Sequence, residues 1–190
     1  NKKIIYSFLS TRKVYPSKSN LNENSILLPK SNYSKNKLIT EQKLTKILKQ
    51  NLVILRVSNI IGDISSKKRI HKTFIDIFFE NIKKGIIIDN NNAFKDFLSI
   101  EKFCQIYKDI IKNNLVGVYN VSIGQKVYLK DLVSWLNKFN EKNLKVKKIN
   151  KKSIESFYLN NKKLMSKIKV KNSLEDLKRY CLQLSKKKFS

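Results

Sequence analysis

Leu52-Val53-Ile54-Leu55-Arg56-Val57 carries a single polar residue in six, with no alternation of apolar and polar positions. Both faces of such a segment must be covered, which is the pattern of an interior strand in a parallel sheet flanked by helices. On its N-terminal side, from about 34 to 50, Leu38, Ile39, Leu44, Ile47 and Leu48 recur at helical spacing. On its C-terminal side, residues 58–66 hold Gly62 and read as a loop.

The same alternation continues outward. Residues 4–9 form a short apolar run ending in Ser10-Thr11, read as another buried parallel strand. Asn1-Lys2-Lys3 runs straight into it, with no initiating methionine, so the chain is expected to be a fragment. Residues 16–32, rich in Ser, Asn and Lys, read as a loop. Downstream the pattern predicts a helix at 72–83, a strand at 85–89 and an extended piece at 94–100. A helix at 101–113, a strand at Gly117–Val121 and a helix at 128–139 follow. The tail holds a strand near 144–149 and helices near 161–167 and 173–185, with Ser173 and Asp176 in a capping arrangement. Strands alternating with helices in this way predict an α/β fold with a parallel sheet.

Composition narrows the class. The formal charge of +27 invites a nucleic-acid partner, since basic faces gain affinity by counterion release. Yet only Arg12, Arg56, Arg69 and Arg179 supply the bidentate forks that grip phosphates and bases, and the lysines are spread along the whole chain. Lys, Asn and Ile are enriched together, as AT-rich codons would produce. Nucleic acid is therefore not the expected partner. No apolar run approaches the roughly 20 residues of a bilayer span, and the first residues lack the charged, apolar and small-residue pattern of a secretion signal. Cys104 and Cys181 are far apart, which predicts no structural disulfide or zinc site and fits a cytoplasmic protein. His71, the only histidine, reads as a surface or helix-start residue, so no metal site is expected.

One pair of residues could carry chemistry. Tyr33 and Lys37 stand at i and i+4 at the start of a predicted helix and so share a face. A tyrosine hydroxyl titrates near ~10, but an adjacent ammonium favours the phenolate and allows proton exchange with a substrate hydroxyl or carbonyl. Thr11, at a strand end, could hydrogen-bond the same substrate oxygen. Tyr158 and Lys162 repeat the spacing, and that pair is read as a coincidence of a lysine-rich chain.

Five further segments give this pair a context. Ser10-Thr11-Arg12-Lys13-Val14-Tyr15-Pro16 resembles the strand-end motif of the NAD-dependent epimerase/dehydratase family, the nucleotide-sugar branch of the extended short-chain dehydrogenases/reductases. Glu23 and Pro29 match its following loop, and Tyr33 to Lys37, with Glu41 downstream, resembles its Tyr-x-x-x-Lys helix. Leu55-Arg56-Val57-Ser58-Asn59-Ile60-Ile61-Gly62 resembles its Leu-Arg-x-x-Asn-x-x-Gly. Lys95-Asp96-Phe97-Leu98-Ser99-Ile100 is similar to its Arg-Asp-Phe-Ile-x-Val, and Gly117-Val118-Tyr119-Asn120-Val121-Ser122 to its Gly-x-Tyr-Asn-Val-Gly.

The resemblance, over roughly residues 4–135, implies a partial doubly wound, Rossmann-type parallel sheet with a smaller C-terminal substrate domain. The expected division is 1–66 for the later part of the Rossmann domain and 67–190 mainly for substrate, with about 101–122 returning to the sheet. It implies an NAD- or NADP-dependent enzyme on a nucleotide sugar, homodimeric at full length. Tyr33 would be the acid/base, Lys37 would lower its pKa and bond the nicotinamide ribose, and Thr11 would hold the reacting oxygen. Ser58 would lie along the nicotinamide, and Asn59 and Lys95 beside the substrate's phosphates, although lysine replaces the family's arginine at 95.

Two departures qualify this. The four glycines form no Gly-x-x-Gly-x-x-Gly turn, so the half that binds the cofactor's phosphates is expected upstream of Asn1, and this fragment alone is expected to be inactive. Arg12-Lys13 stands where the family's 4,6-dehydratases carry Asp-Glu, and cations cannot protonate a leaving hydroxyl. An epimerase or a keto-sugar reductase is left. The rival is a non-catalytic binding protein on the same fold, associating with RNA through its basic surface.

If the lysine excess reflects codon usage, binding to RNA or DNA should be sequence-blind and should vanish between about 50 and 200 mM salt. Fluorescence anisotropy across that range checks this. Tight, sequence-selective binding at physiological salt would favour the rival.

Overall fold

A computed structural model describes residues 4–62, 74–89, 93–142, 144–148 and 155–189. His71 and the outer parts of the predicted segments 58–66, 72–83 and 144–149 lie outside the described residues. In chain order the first half gives β1 (Tyr6–Thr11), α1 (Asn32–Leu48), β2 (Leu52–Val57), β3 (Asn59–Ile61), α2 (Phe74–Lys83), β4 (Ile86–Asp89), β5 (Phe94–Lys95) and β6 (Phe97–Ser99). The second half gives α3 (Ile100–Lys112), β7 (Gly117–Val121), β8 (Val127–Tyr128), α4 (Leu129–Leu136), β9 (Lys145–Lys148), α5 (Lys162–Met165) and α6 (Leu174–Phe189).

The expected α/β architecture is present. β2 is the middle strand of a parallel sheet ordered β1-β2-β7, with Leu55 opposite Leu9 on one side and Tyr119 on the other. Its continuous apolar character follows from that place. Val53 and Leu55 pack with Ile106 and Ile110 of α3, Val121 of β7 and Leu164 of α5. A second core gathers Ile75, Phe78, Phe79 and Ile82 of α2, Leu132 and Leu136 of α4, and Leu177, Cys181 and Leu184 of α6. Ser173 and Asp176 cap α6 reciprocally: the Asp176 amide donates to Ser173 Oγ at 3.1 Å, and the Ser173 amide to Asp176 Oδ2 at 3.1 Å.

Two expectations are corrected. The first strand begins at Tyr6 rather than Ile4 and is not buried over its N-terminal half, where Ile4 is 83% and Tyr6 51% exposed. Among the described residues it has a ladder partner on one side only, so an apolar run that reads as an interior strand sits at an edge. The predicted loop after β2 contains β3, which pairs in parallel with β6, Asn59 opposite Phe97 and Ile61 opposite Ser99. Three residues are too few to display a strand period, and the two-residue strand β8 escapes for the same reason, whereas β5 and β6 fall within the extended piece expected at 94–100.

Asp96, between β5 and β6, fastens distant segments together. Its side chain is fully buried and accepts from Ile123 N at 2.9 Å, Leu159 N at 3.1 Å and Gly124 N at 3.3 Å. Gly124 has a φ of +79°, and a Cβ there would come within 2.7 Å of Asn161 Cγ, so both backbone and space demand glycine.

Burial pushes the Asp96 carboxyl up to about 7, against the pull of the Leu159, Ile123 and Gly124 amides. In the unfolded chain an aspartate titrates near ~3.9. The folded state thus keeps a proton that the unfolded state has released. That contribution to stability is full below about pH 4 and is lost as pH rises through about 7. Asp96→Asn should flatten this slope and cost about 1–3 kcal/mol, because an amide NH2 then faces backbone donors. Urea melts between pH 4 and 7 check both, and an unchanged slope would contradict the assignment.

Candidate active site

The C-terminal ends of β1, β2 and β7 lie side by side, with Thr11 opposite Val57 and Val57 opposite Val121. In open parallel sheets this is the edge where ligands bind. A buried polar network holds it. Arg56 of β2 donates from Nη2 to Glu41 Oε2 at 2.7 Å and from Nε at 3.1 Å. Ser10 of β1 donates to Glu41 as well. Arg56 Nη1 reaches Tyr15 Oη at 2.8 Å and the Glu23 carbonyl at 3.2 Å, and Tyr15 donates to Asn120 Oδ1 of β7 at 2.9 Å. The backbone amide of Asn120 donates to Glu23 Oε1 at 2.8 Å. Burial alone would weaken the Arg56 charge, but the Glu41 carboxylate outweighs it and raises the guanidinium above its ordinary value.

Tyr33 and Lys37 occupy the first turns of α1, where Ser31 and Ser34 form a capping box. They share a face as predicted, with Lys37 Nζ 5.9 Å from the centroid of the Tyr33 ring. The ammonium also lies 4.8 Å from the Phe8 ring and donates to the Leu9 carbonyl at 2.7 Å, which fixes it at the end of β1. Tyr33 is 54% exposed, and its hydroxyl has no hydrogen-bond partner among the described residues. Thr11 is buried, and its Oγ1 accepts from Lys13 N at 3.3 Å, so the hydroxyl proton is left to donate. Tyr158 and Lys162 do not share a helix face: Tyr158 precedes α5 and pairs through its carbonyl with Leu21 N at 3.2 Å.

The other predicted site residues lie close by in two settings. Ser58, just past β2, is held by its amide to the Val121 carbonyl at 3.0 Å, while its buried hydroxyl has no partner among the described residues. Asn59 spends its side-chain amide on the Asp96 carbonyl at 3.0 Å. Lys95, half-buried in β5, has its ammonium pushed below the ordinary lysine range by burial and by the charge of Arg12.

Arg12 and its surroundings were not legible as a site. The side chain is 6% exposed, its guanidinium stacks 3.7 Å from the Phe157 ring centroid, and its Nη2 stands 3.6 Å from Glu155 Oε2. Burial lowers its pKa, opposed by Glu155. Burial also works against ionisation of Glu155, but the Ser17 hydroxyl, Arg12 and Lys30 outweigh it and hold that carboxyl below its usual range. These groups line one cleft, with Lys13, Tyr15, Ser31 and Ser34. In sequence Arg12 and Lys13 read only as a departure from a motif, and nothing in the spacing joins them to Glu155.

No protein-family model matches the sequence. Solved structures do match. UDP-N-acetylglucosamine 4-epimerase from Methanobrevibacter ruminantium M1, in complex with UDP-N-acetylmuramic acid, superposes with a TM-score of 0.80 at 22% identity, covering 95% of this chain and 61% of that one. The enzyme RMD from Pseudomonas aeruginosa, complexed with NADPH, gives 0.78 at 17% identity over 97% of this chain and 66% of that one. dTDP-glucose 4,6-dehydratase from Bacillus anthracis str. Ames, in complex with NAD, gives 0.73 at 18% identity over 97% and 62%. The chain shares their fold. It spans less than two thirds of the length of each.

The Arg56–Glu41 pair should be required for this end of the sheet. Arg56→Leu strands a buried carboxylate and should cost about 3–5 kcal/mol, whereas Arg56→Leu with Glu41→Leu should cost less than the sum of the single changes. Chemical denaturation of the four proteins measures it, and additive losses would mean that the two side chains act independently.

Proposed function

We propose that this chain is the acid/base and substrate-holding part of an NAD(P)-dependent nucleotide-sugar epimerase or keto-sugar reductase of the extended short-chain dehydrogenase/reductase type. The observation that carries the reading is Lys37 anchored on the Leu9 carbonyl, one helical turn after a solvent-facing Tyr33, at the ligand-binding edge of the sheet. The fold shared with enzymes solved with NAD or NADPH supports it. The same reading assigns residues 1–66 to the later part of a Rossmann domain and 67–190 mainly to substrate, with about 101–122 returning to the sheet. Homodimerisation at full length belongs to the same reading.

The residues present suit the nicotinamide end of such a cofactor. The buried Ser58 hydroxyl, orphaned among the described residues, and the Lys37 ammonium are donors at adjacent strand ends. A nicotinamide dinucleotide, when bound, supplies a hydride acceptor and donor. The chain's own residues handle the proton. Tyr33 Oη takes it from a substrate hydroxyl or returns it to a carbonyl. Lys37 stabilises the phenolate form while the proton is away. Thr11, its oxygen already accepting from Lys13 N, donates to the substrate oxygen as negative charge grows there.

In the full-length protein, Tyr33→Phe should lower turnover by about 10²–10⁴-fold, with nucleotide-sugar binding nearly unchanged. Tyr158→Phe should be close to wild type. Steady-state kinetics with calorimetric binding separates the two effects, and undiminished turnover in Tyr33→Phe would remove the tyrosine from the mechanism.

A further inference from the structure

We propose that the reacting sugar carries an acidic group, and that Arg12 and Lys13 receive its carboxylate in the cleft beside Tyr33. This rests on the nucleotide-sugar reading above and names the substrate class within it.

The cleft has a volume of about 160 Å³ and is lined by Arg12, Lys13, Lys30, Ser31, Ser34 and Glu155, with Tyr15 and Ser17. By the same measure one water needs only ~10–15 Å³, so a substituent of real size fits. Among the described residues three cations there face one carboxylate, and Lys95 stands near enough for Arg12 and Lys13 to add to the lowering of its pKa by burial. A neutral sugar would leave that positive charge uncompensated.

Arg12 makes the case specific. A buried guanidinium is costly unless a carboxylate or phosphate meets its planar fork in bidentate fashion. Among the described residues the carboxylate nearest Arg12, Glu155, stands 3.6 Å from Nη2, beyond good hydrogen-bonding distance, and its side chain is 48% exposed. Arg12 Nε is buried with no hydrogen-bond partner among the described residues. The Phe157 ring covers the flat face at 3.7 Å, so a ligand would have to meet the guanidinium at its edge. An incoming carboxylate would match that edge with two parallel bonds.

Position separates a sugar carboxylate from the diphosphate, the other oxyanion such a substrate bears. Lys13 Nζ lies 6.0 Å from the Tyr33 ring centroid, and Lys13 N bonds Thr11 Oγ1 at 3.3 Å. The cleft therefore adjoins the groups assigned to the reacting carbon, whereas the diphosphate leaves from the anomeric carbon. Glu155 already occupies part of the field that the ligand would use, so it competes with an anionic substrate.

The test is calorimetric titration of the full-length protein with UDP-glucuronate and UDP-glucose, which share nucleotide and diphosphate and differ in one carboxylate. The expected result is at least tenfold tighter binding of the glucuronate. That ratio should fall toward one in Arg12→Gln and shrink in Lys13→Gln, and it should rise in Glu155→Gln. Lys13 and Glu155 are exposed, so those variants keep the test decisive if Arg12→Gln does not fold. Equal binding of the two ligands by the wild type would overturn the proposal. A parallel loss for both ligands in the Arg12 and Lys13 variants would assign the cleft to the diphosphate and overturn it too. Turnover of UDP-glucose that depends on Tyr33 but shows no charge preference would sink this inference alone. Failure of both ligands to bind would sink the nucleotide-sugar reading with it.

Discussion

The buried Arg56–Glu41 pair is the constraint on which the rest of this structure depends. Arg56 comes from the middle strand, Glu41 from the helix that carries Tyr33 and Lys37, and Ser10 from the end of the neighbouring strand. Through Tyr15 and Asn120 the same network reaches the third strand and the loop between the first strand and the first helix. A lone buried charge would be untenable, and this pair persists because nearly every donor and acceptor around it is used. Its consequence for function is positional. α1 is docked through Glu41 two turns beyond Tyr33, and Lys37 is held to the Leu9 carbonyl between them. The helix face that bears the phenol is thereby set against the strand end that bears Thr11.

That network also explains why the fold was legible. Glu23, Glu41, Arg56 and Asn120 belong to four separate motifs, yet they are mutual neighbours in space. Segments far apart in sequence each supply one partner to the same set of hydrogen bonds. The middle strand was legible for another reason: covered on both faces, it had to be apolar throughout. The first strand shows the limit of that logic. The run is mostly apolar, yet among the described residues it pairs on one side only and its N-terminal half is not buried. β3 and β8 were hidden by their length, since a period of two needs more than two or three residues to be seen.

The candidate site divides in a similar way. Tyr33 and Lys37 could be found because helical geometry places i and i+4 on one face, a local rule that needs no tertiary knowledge. The same rule rejects the second Tyr-Lys pair only once the helix is known to begin after Tyr158. Ser58 and Asn59 were named only through the resemblance of residues 55–62 to a known motif, and no local pattern singles them out. The cleft at Arg12 is different. Its acidic member, Glu155, is brought in by the chain's return along Leu21 and Leu159, where an isolated bridge and the buried Phe157 fix the approach. No local pattern predicts that meeting.

Arginine usage adds a last physical step. In a chain where lysine dominates so heavily, any arginine stands out against a compositional drift toward its rival. Of the four, Arg179 is exposed and Arg69 lies outside the described residues, while Arg12 and Arg56 are both buried at the ligand-binding edge of the sheet. A lysine could cover solvent-facing positions as well, but its ammonium is a point charge that cannot meet two oxygens in one plane or stack a flat face on an aromatic ring. Arg56 uses its fork fully, on Glu41 and Tyr15. Arg12 uses the stacking face on Phe157, and among the described residues its Nε has no hydrogen-bond partner. The first arrangement is satisfied by the strand and helix it joins, whereas the second leaves a buried donor that a planar oxyanion would complete, which is the step that sets the two arginines apart.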